Sequence, residues 1–429
     1  AAEAMVPHIL GSYRAYLDTC TSWDLIKNST KLFVCFGGVP LKNGQICQGG
    51  TGNHYQKESI ISAASSGIEF VNVSPLKSDL MDEAGGKWLS LRPNTDTALM
   101  LGIAHTLHIE GLSDKDFLNK YTEGFDIFLN YLLGLSDGIQ KDANWAAEIC
   151  DIPENEIREL ARRMVSNRTM ISVSWSLTRQ DHGEQPFWMA IMLASMIGQI
   201  GLPGGGFGFG YSATNHIGGQ FTILPGAAFP QAKNEIENFI PVARISDLLL
   251  KPNENFNFDG KKYKYPDTKI VYWAGGNPFH HHQDLNRLIK AWEKPDTIIC
   301  NEWCWNTLAK RSDIVLPCTT PLERKDIMMT PRDPYVVSMS KLVDPYGQAR
   351  NDYEIFTGIA KKMGVEKKFT ENRNQEEWQE WIYNQTFDRA TASNINIPTY
   401  KKFREDGWFK VRDPKEPTIM LKDFRKDPV

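Results

Sequence analysis

The chain has 429 residues, of which 41% are hydrophobic and 23% charged, and its formal net charge at pH 7 is −4. This length exceeds one compact core and predicts two or three domains of ordinary globular composition. The slightly acidic charge excludes a general attraction to nucleic acid or anionic membranes, so an anionic ligand needs a local cluster of donors.

The first predicted strand ends in a Gly-Gly-x-Pro turn that recurs late in the chain. Residues 33–40 read FVCFGGVP and residues 271–278 read VYWAGGNP. Each begins with the apolar, β-branched and aromatic residues of a buried parallel strand. Glycines at a strand end allow a ligand to approach closely, and ligands of open α/β sheets bind beyond the carboxyl ends of strands. The repeat indicates either two related half-sites or two ordinary strand-to-loop turns.

Strands alternate with helices along the chain. Further strands are predicted at 68–73, 170–175, 269–274, 297–300 and 313–316, and helices after residue 96, after residue 153, over 187–197, over 353–363 and around 378–382. We expect Asn94, Thr95 or Asp96 to cap the first of these helices and Asp352 to cap the fourth. The helix over 187–197 is almost entirely apolar, which predicts burial on all sides.

This alternation predicts an α/β fold with two dinucleotide-binding-like domains, whose mostly parallel sheets are flanked by helices. We place domain changes near residues 168 and 366. The domains are then 1–168 and 169–365, followed by a charged segment, 366–429, that leads toward a further domain.

Two segments predict loops. Residues 201–210 are glycine-rich but lack the lysine of a phosphate-binding loop and the strand–helix setting of a dinucleotide fingerprint, so we interpret them as a tight loop. Residues 212–265 are rich in Asn, Gly and Pro and predict long loops over the surface.

Polar side chains follow several of the predicted strands. Arg179 suits a phosphate or carboxylate, or it belongs to a solvated helix start. The three histidines at 280–282 suit phosphate binding or the cap of a helix near Gln283, and less a metal, because adjacent side chains diverge. Glu302 or Glu323 suits the edge of a guanine and Arg324 a phosphate, unless Glu323 and Arg324 form a structural ion pair.

Seven scattered cysteines form no CxxC pair, which argues against zinc, an iron–sulfur cluster and a disulfide framework. Neither a signal peptide nor an apolar run of membrane-spanning length is visible. Because the chain begins with Ala1 and ends in a loop-like sequence, we expect a fragment of a longer protein.

Five segments resemble, in the same order, the dimethyl sulfoxide reductase family of molybdenum enzymes. They are residues 93–102 (PNTDTALMLG), 182–185 (HGEQ), 198–208 (GQIGLPGGGFG), 275–279 with 281–284 (GGNPF and HHQD) and 313–317 (DIVLP). The likeness is to the branch that reduces trimethylamine N-oxide, dimethyl sulfoxide and biotin sulfoxide. Residues after about 366 match only loosely.

The resemblance implies a bis(molybdopterin guanine dinucleotide) molybdenum cofactor. One dinucleotide would contact Lys42, Asn43, Ser74, Pro75, Asn94, Thr95 and Asp96; the other would contact Trp175, Ser176, Arg179, Asn277, His281, Asn301, Glu302, Arg324 and Asp352. Each pyrophosphate needs Arg, Lys and backbone N–H donors, and each guanine needs an acceptor. Asn43 departs from the family, which usually has threonine there.

The resemblance also implies the activity and its missing parts. The intact enzyme would reduce an S-oxide or N-oxide through Mo(IV)/Mo(VI) cycling, supplied by an external electron donor such as a c-type cytochrome. The molybdenum-binding serine, in a Ser-Tyr-Gly-Trp setting, and the pocket tyrosine and tryptophan are expected upstream of Ala1, so no catalytic residue or metal ligand is assigned here. We expect a periplasmic location, with the cytoplasm as the alternative, and neither nucleic-acid binding nor a membrane span.

Three other interpretations stay open at this point. One is a cofactor-free relative that acts as a structural or electron-transfer scaffold, although the retained Arg179, Asn277, His281 and Arg324 weigh against it. Another is a formate dehydrogenase or nitrate reductase of the same superfamily, because these differ chiefly in the missing metal ligand. The third is an ordinary nucleotide-binding α/β protein, which the absent GxGxxG motif disfavours.

Overall fold

The computed structural model describes residues 1–17, 19–45, 54–231, 233–236 and 239–428. The chain divides into two compact units. The first consists of Ala1–Ile223, Thr330–Tyr335 and Val411–Val429, and the second of Leu224–Met329 and Val336–Lys410. Each unit contains a parallel sheet flanked by helices, which confirms the predicted α/β class.

The first unit is built on a five-stranded sheet in the order β3-β2-β1-β4-β5, parallel throughout. Its strands are β1 (Leu32–Phe36), β2 (Glu69–Val73), β3 (Lys87–Leu89), β4 (Thr169–Val173) and β5 (Gly206–Phe209). Its helices are α1 (Ala2–Leu10), α2 (Arg14–Leu17), α3 (Trp23–Ser29), α4 (Leu41–Gly44), α5 (Gln56–Ser65), α6 (Asp96–Ile109), α7 (Lys115–Tyr121), α8 (Phe125–Leu132), α9 (Ala143–Cys150), α10 (Glu154–Ser166) and α11 (Gln185–Met196).

The central strands of this sheet are wholly apolar or small, and they are covered on both faces. Every residue of β1 and β4 is buried. Helix α10 carries the predicted stripe of Ile157, Leu160, Ala161 and Met164, all buried. Burying one such large aliphatic side chain contributes about 1.5–3 kcal/mol, so this core holds the carboxyl ends of the strands in fixed register.

The glycine-rich segment differs from its prediction, because part of it is a strand. Residues of β5 pair with β4 from Met170 onward. Gly208 is required there, since a Cβ on it would lie 2.4 Å from a ring carbon of Tyr211. The interpretation as a tight loop alone was therefore wrong. The predicted domain limit at residue 168 falls just before β4, inside this sheet, and does not coincide with a limit of either unit.

The prediction of surface loops over 212–265 was also only partly right. Ser212, Thr214 and Ile217 are buried in the first unit. In the second unit the segment contains helix α12 (Ile245–Leu250) and an antiparallel hairpin of β6 (Asn255–Phe258) and β7 (Lys261–Lys264). Composition alone missed these elements because each is only four to six residues long and lies in a segment rich in Asn, Gly and Pro.

The second unit contains a three-stranded parallel sheet in the order β10-β9-β8 and an antiparallel sheet in the order β11-β12-β13. The strands are β8 (Ile270–Ala274), β9 (Thr297–Glu302), β10 (Ile314–Pro317), β11 (Asp326–Met328), β12 (Tyr335–Met339) and β13 (Trp408–Lys410). The helices after α12 are α13 (Pro278–His281), α14 (Leu285–Trp292), α15 (Asp352–Lys362), α16 (Glu366–Thr370), α17 (Gln375–Ala392) and α18 (Tyr400–Asp406). Leu249, Leu288 and Ile298 belong to its core.

Three local predictions need correction. Strand β8 is an edge strand with exposed ends, unlike the buried β1, because the sheet to which it belongs has no strand beyond it. Asp284, and not a histidine, caps α14 by accepting from the Arg287 amide. Asn351, and not Asp352, caps α15, and Glu354 closes the capping box by accepting from the Asn351 amide.

Helix α11 is buried along most of its surface, as predicted, except that Trp188 is exposed and Met192 half-buried. Among the helices of the described residues, none is long and apolar enough to cross a membrane.

Candidate functional site

Ten of the predicted site residues lie beyond the carboxyl ends of the five-stranded sheet. Since its strands are parallel, these ends meet at one edge. Lys42 and Asn43 lie on α4 after β1; Ser74 and Pro75 follow β2; Asn94, Thr95 and Asp96 lie between β3 and the first turn of α6; Trp175, Ser176 and Arg179 follow β4. The last three, which the resemblance places at the second dinucleotide, lie in the first unit.

The order of the strands reverses between β1 and β4, which is where such sheets form a crevice. Gly37 and Gly38 follow β1 with φ of +78° and +71°. A Cβ on Gly37 would lie 2.8 Å from the Cβ of Ser174, and one on Gly38 would lie 2.5 Å from the Cβ of Asp79. These glycines therefore serve close packing within the chain.

Asp79 organises part of this edge, and sequence reasoning missed it. Its carboxylate accepts from Ser74 Oγ at 2.7 Å and from Lys42 Nζ at 3.2 Å. Its backbone carbonyl accepts from the Val39 amide. Asp79 thus fixes two predicted site residues relative to the turn after β1. Its position five residues after Ser74, at the end of a short 3₁₀ turn (Lys77–Asp79), was the only indication of this role that the sequence offered.

Asp96 is the most unusual titratable group of this edge. It is 2% exposed, and its Oδ1 atom has no hydrogen-bond partner among the described residues. Burial disfavours the charged form and raises the pKa of this carboxyl to about 7. Asp96 is the first residue of α6 and does not cap it, since Thr95 occupies the cap position.

Trp175 also carries an unsatisfied group. Its indole nitrogen Nε1 is buried and has no partner in the part of the chain that the structure describes. Gly210 packs against it so closely that a Cβ there would lie 2.1 Å from Nε1. The donor is therefore held in place without a protein acceptor.

The other six predicted residues converge in the second unit. Asn277, His281, Asn301, Glu302, Arg324 and Asp352 all line one cavity of about 830 Å³ at the carboxyl ends of β8, β9 and β10. That volume is in the range of small-molecule sites. Gly275 and Gly276, at its wall, have φ of +81° and +75°, and a Cβ on either would have no atom within 4 Å. Unlike Gly37 and Gly38, this pair faces open space.

Hydrogen bonds fix the orientation of the polar side chains in this cavity, which we call the strand-end cavity. Asn301 Oδ1 accepts from the Tyr272 hydroxyl at 2.8 Å, and Asn301 Nδ2 donates to Asp352 Oδ1 at 2.8 Å. Glu302 accepts from Asn306 Nδ2 at 2.6 Å and from the Trp303 amide at 3.0 Å.

The side-chain amide of Asn277 has a hydrogen-bond partner for its oxygen but not for its nitrogen. Its Oδ1 accepts from the Phe279 amide at 3.0 Å, which caps the short helix α13. Its Nδ2 is a donor without a partner within the described ranges, and the residue is 7% exposed. A buried donor left unpaired is destabilising, so an acceptor from a ligand would stabilise it.

Arg324 and Glu323 do not form the ion pair that the sequence left open. Arg324 donates to Asp326 Oδ2 at 3.1 Å and to the Thr319 carbonyl at 2.9 Å. Glu323 instead accepts from the backbone amides of Thr320 and Tyr346, and these bonds lower its pKa. Glu323 is therefore a turn-forming residue and not an acceptor in the strand-end cavity.

Two cysteines of the cavity wall, Cys304 and Cys318, were not singled out from the sequence. Burial, with the charges of Asp352 and Glu302, raises the pKa of Cys318 to about 11, so its thiol stays protonated. Of the three adjacent histidines only His281 lines the cavity. Throughout the described ranges, no group of His, Cys, Asp and Glu side chains is arranged to hold a metal ion.

Comparisons with known proteins give a consistent result. The sequence model of the molybdopterin oxidoreductase family matches residues 12–362. A biotin sulfoxide reductase and a dimethyl sulfoxide/trimethylamine N-oxide reductase of Cereibacter sphaeroides, and a trimethylamine-N-oxide reductase of Haemophilus influenzae, are each 41% identical to this chain. All of this chain is aligned, with 58%, 54% and 54% of the three relatives. The chain thus spans little more than half of their length.

Among solved structures, the acetylene hydratase of Pelobacter acetylenicus shares the fold with a TM-score of 0.57. The superposition covers 96% of this chain and 56% of that one, at 16% sequence identity. At this identity the likeness concerns the fold alone.

Proposed function

The chain belongs to the molybdopterin oxidoreductase family, and on that premise we propose that it holds a bis(molybdopterin guanine dinucleotide) molybdenum cofactor for the reduction of an S-oxide or N-oxide. The observation that carries the proposal is the convergence of six predicted residues on the strand-end cavity. The names of the relatives support the substrate class.

The chemistry of the donors fits such a cofactor. A pyrophosphate presents only acceptor oxygens, and Asn277 Nδ2 and Trp175 Nε1 are among the buried donors that lack an acceptor in the described chain. They lie beyond the carboxyl ends of β8 and β4, where open α/β sheets bind nucleotides. An unsatisfied donor at each of these two strand ends suits a cofactor that carries a dinucleotide at each sheet.

In the second unit, Asn277 and His281 would bind the pyrophosphate, and Gly275 and Gly276 would let it approach the backbone. Asp352 has one carboxylate oxygen bonded to Asn301, so the other oxygen would accept from a guanine or a ribose. Each oxygen of Glu302 already accepts one hydrogen bond, from the Trp303 amide or from Asn306 Nδ2, so Glu302 would accept from a guanine through a remaining lone pair. Arg324, already bonded to Asp326, would contribute positive charge more than a new bidentate contact.

In the first unit, Arg179 and Lys42 would supply positive charge to the other dinucleotide, with Ser74 and Ser176 as hydroxyl partners. Asn43, Pro75, Asn94, Thr95 and Trp175 would complete the contacts at this edge. Asp96, protonated below about pH 7, would donate a hydrogen bond to a cofactor oxygen as well as accept one.

When bound, the molybdenum centre supplies two-electron oxygen transfer: one S-oxide or N-oxide, two electrons and two protons give the sulfide or amine and one water. The role of this chain is to position the two dinucleotides. A periplasmic location and an external electron donor such as a c-type cytochrome belong to the same proposal.

The test has two parts. The coding sequence upstream of Ala1 is expected to contain a serine in a Ser-Tyr-Gly-Trp setting, whereas cysteine, selenocysteine or aspartate there would contradict S-/N-oxide reduction. The gene product that contains this chain is then expected to hold molybdenum and to oxidise a reduced viologen dye with dimethyl sulfoxide or trimethylamine N-oxide. Absence of both molybdenum and activity would favour a cofactor-free scaffold.

A further inference from the structure

The second unit contains a second cavity of about 840 Å³ that the proposed cofactor contacts do not explain. We call it the aromatic cavity, after the rings of Phe229, Tyr353, Phe369 and Trp378 in its wall. It shares only Arg324 and Asp352 with the strand-end cavity. The other lining residues come from β11, from helices α15, α16 and α17 with the positions next to them, and from the segment around Phe229, and none of these residues is a predicted cofactor contact.

The four rings form two pairs. Tyr353 and Phe369 are stacked with their centroids 5.8 Å apart, and Phe229 and Trp378 meet edge to face at 5.7 Å. Phe229 and Phe369 are exposed despite their size. A flat ligand that covers them would remove apolar surface from water and gain ring stacking.

A buried acceptor lies in the same wall. Gln379 is 6% exposed, and its Nε2 donates to the Lys325 carbonyl at 2.8 Å. Its Oε1 is buried and accepts from no donor among the residues that the structure describes. A carbonyl oxygen in this state favours a ligand that presents an N–H group.

The charges in the wall are mixed. Arg324 pairs with Asp326 and Glu371 with Arg373, whereas Asp352 keeps its negative charge because its partner Asn301 is neutral. Lys368 lines the cavity and is exposed, and it forms no ion pair with any described residue. An anionic substituent on the ligand would be attracted to it.

We propose that the aromatic cavity binds a planar heterocycle that carries a ring N–H donor and an anionic substituent, the class to which purine mononucleotides belong. The ring stacks on Phe369 and Phe229, its N–H group donates to Gln379 Oε1, and the anion lies near Lys368. This site is separate from the proposed cofactor contacts, because none of these four residues takes part in them.

The experiment is a calorimetric titration of the 429-residue chain with guanosine 5′-monophosphate as the probe. Guanosine lacks the anion and ribose 5-phosphate lacks the ring, so each is expected to bind more weakly than the complete probe. Lys368→Ala and Phe369→Ala, both at exposed positions, are expected to weaken binding about tenfold. Gln379→Met keeps the size of the side chain without the acceptor and is expected to do the same.

His281→Ala is the matched control, since His281 lines the strand-end cavity and not the aromatic one. Binding that survives His281→Ala and is lost in Phe369→Ala supports the proposal. If the probe binds only where His281 and Asn277 are intact, it occupies the strand-end cavity, which overturns this inference and leaves the proposed function standing. Absence of binding to the wild-type chain also overturns it. Unchanged melting temperatures show that the variants are folded.

Discussion

Asn301 Nδ2 donates a hydrogen bond to Asp352 Oδ1 at 2.8 Å, which joins the end of β9 to the first turn of α15. The same amide accepts from the Tyr272 hydroxyl of β8, so one side chain connects three elements around the strand-end cavity. The two candidate acceptors of the cavity, Glu302 and Asp352, are therefore held by asparagine amides before any ligand binds. Such preorganisation reduces the entropy lost on binding.

Replacing Asn301 by leucine is expected to lower the free energy of unfolding by about 1–3 kcal/mol, because the Tyr272 hydroxyl and Asp352 Oδ1 both lose a buried partner. Urea unfolding measures the change. Asn286→Leu is the matched control, since Asn286 is exposed on α14 and its loss is expected to cost less than about 0.5 kcal/mol. Equal effects of the two substitutions would show that the Asn301 bonds carry no stability.

The buried carboxyl of Asp96 is expected to make stability fall as pH rises. Its pKa in the folded chain is about 7, above the ordinary value of 3.8, so the folded state binds the proton more tightly than the unfolded state. Protonated Asp96 therefore contributes on the order of 4 kcal/mol to the free energy of unfolding. This contribution is complete below about pH 4 and is lost as pH rises through about 7.

Asp96→Asn removes this titration and is expected to flatten the decline in unfolding free energy between pH 5 and pH 8. The exposed Asp181→Asn serves as the control and is expected to leave the profile unchanged. Two results would contradict the raised pKa of Asp96: an unfolding free energy of the wild-type chain that increases from pH 5 to pH 8, or an equally steep decrease in Asp96→Asn.

The two Gly-Gly turns are expected to respond differently to alanine. Gly276→Ala suffers only the strain of a positive φ, about 1–2 kcal/mol, because its Cβ meets open space. Gly38→Ala suffers that strain together with a contact of 2.5 Å to Asp79, which adds about 1–3 kcal/mol. The melting temperatures of the two variants measure these costs, and Gly38→Ala is expected to lower the melting temperature more. A larger decrease in Gly276→Ala would contradict the packing described for the two turns.

His281 is expected to be the only one of the three adjacent histidines that affects guanosine diphosphate binding. His281→Ala is expected to weaken binding about threefold to tenfold through loss of one donor to the diphosphate, whereas His280→Ala leaves it unchanged. Calorimetric titrations of the two variants give the comparison. Equal weakening would indicate a general charge effect and not a defined contact.

The sequence predicted six of the eight strands of the two parallel sheets and the helices α6, α10, α11, α15 and α17, because long apolar runs and regular helical stripes reflect burial directly. It misjudged β5, because its two glycines disfavour a strand; Gly208 makes room for the ring of Tyr211, and Gly206 lies against the backbone of Gln199 and Ile200. It also misjudged the cap of α15, since Asn351 and Asp352 are equally good candidates and only tertiary contact with Asn301 distinguishes them.

The site was predictable where residues follow strand ends and unpredictable where they come from loops. Asn277 and Asn301 follow or end strands, so their convergence follows from the parallel sheet. Asp79 and Gln379 lie in a loop and on a late helix, and no periodicity relates them to the strand ends. The tie of Ser74 and Lys42 to Asp79 depends on a loop conformation that sequence patterns do not specify.

The most direct measurement is a structure of this chain determined with guanosine diphosphate. The account predicts the diphosphate in the strand-end cavity, within hydrogen-bond reach of Asn277 Nδ2 and beside Gly275 and Gly276, with the base or ribose bonded to Asp352 or Glu302. A strand-end cavity that stays empty at saturating concentration, whether or not a nucleotide binds elsewhere, would contradict the proposal that the convergence of these residues serves to bind a guanine dinucleotide.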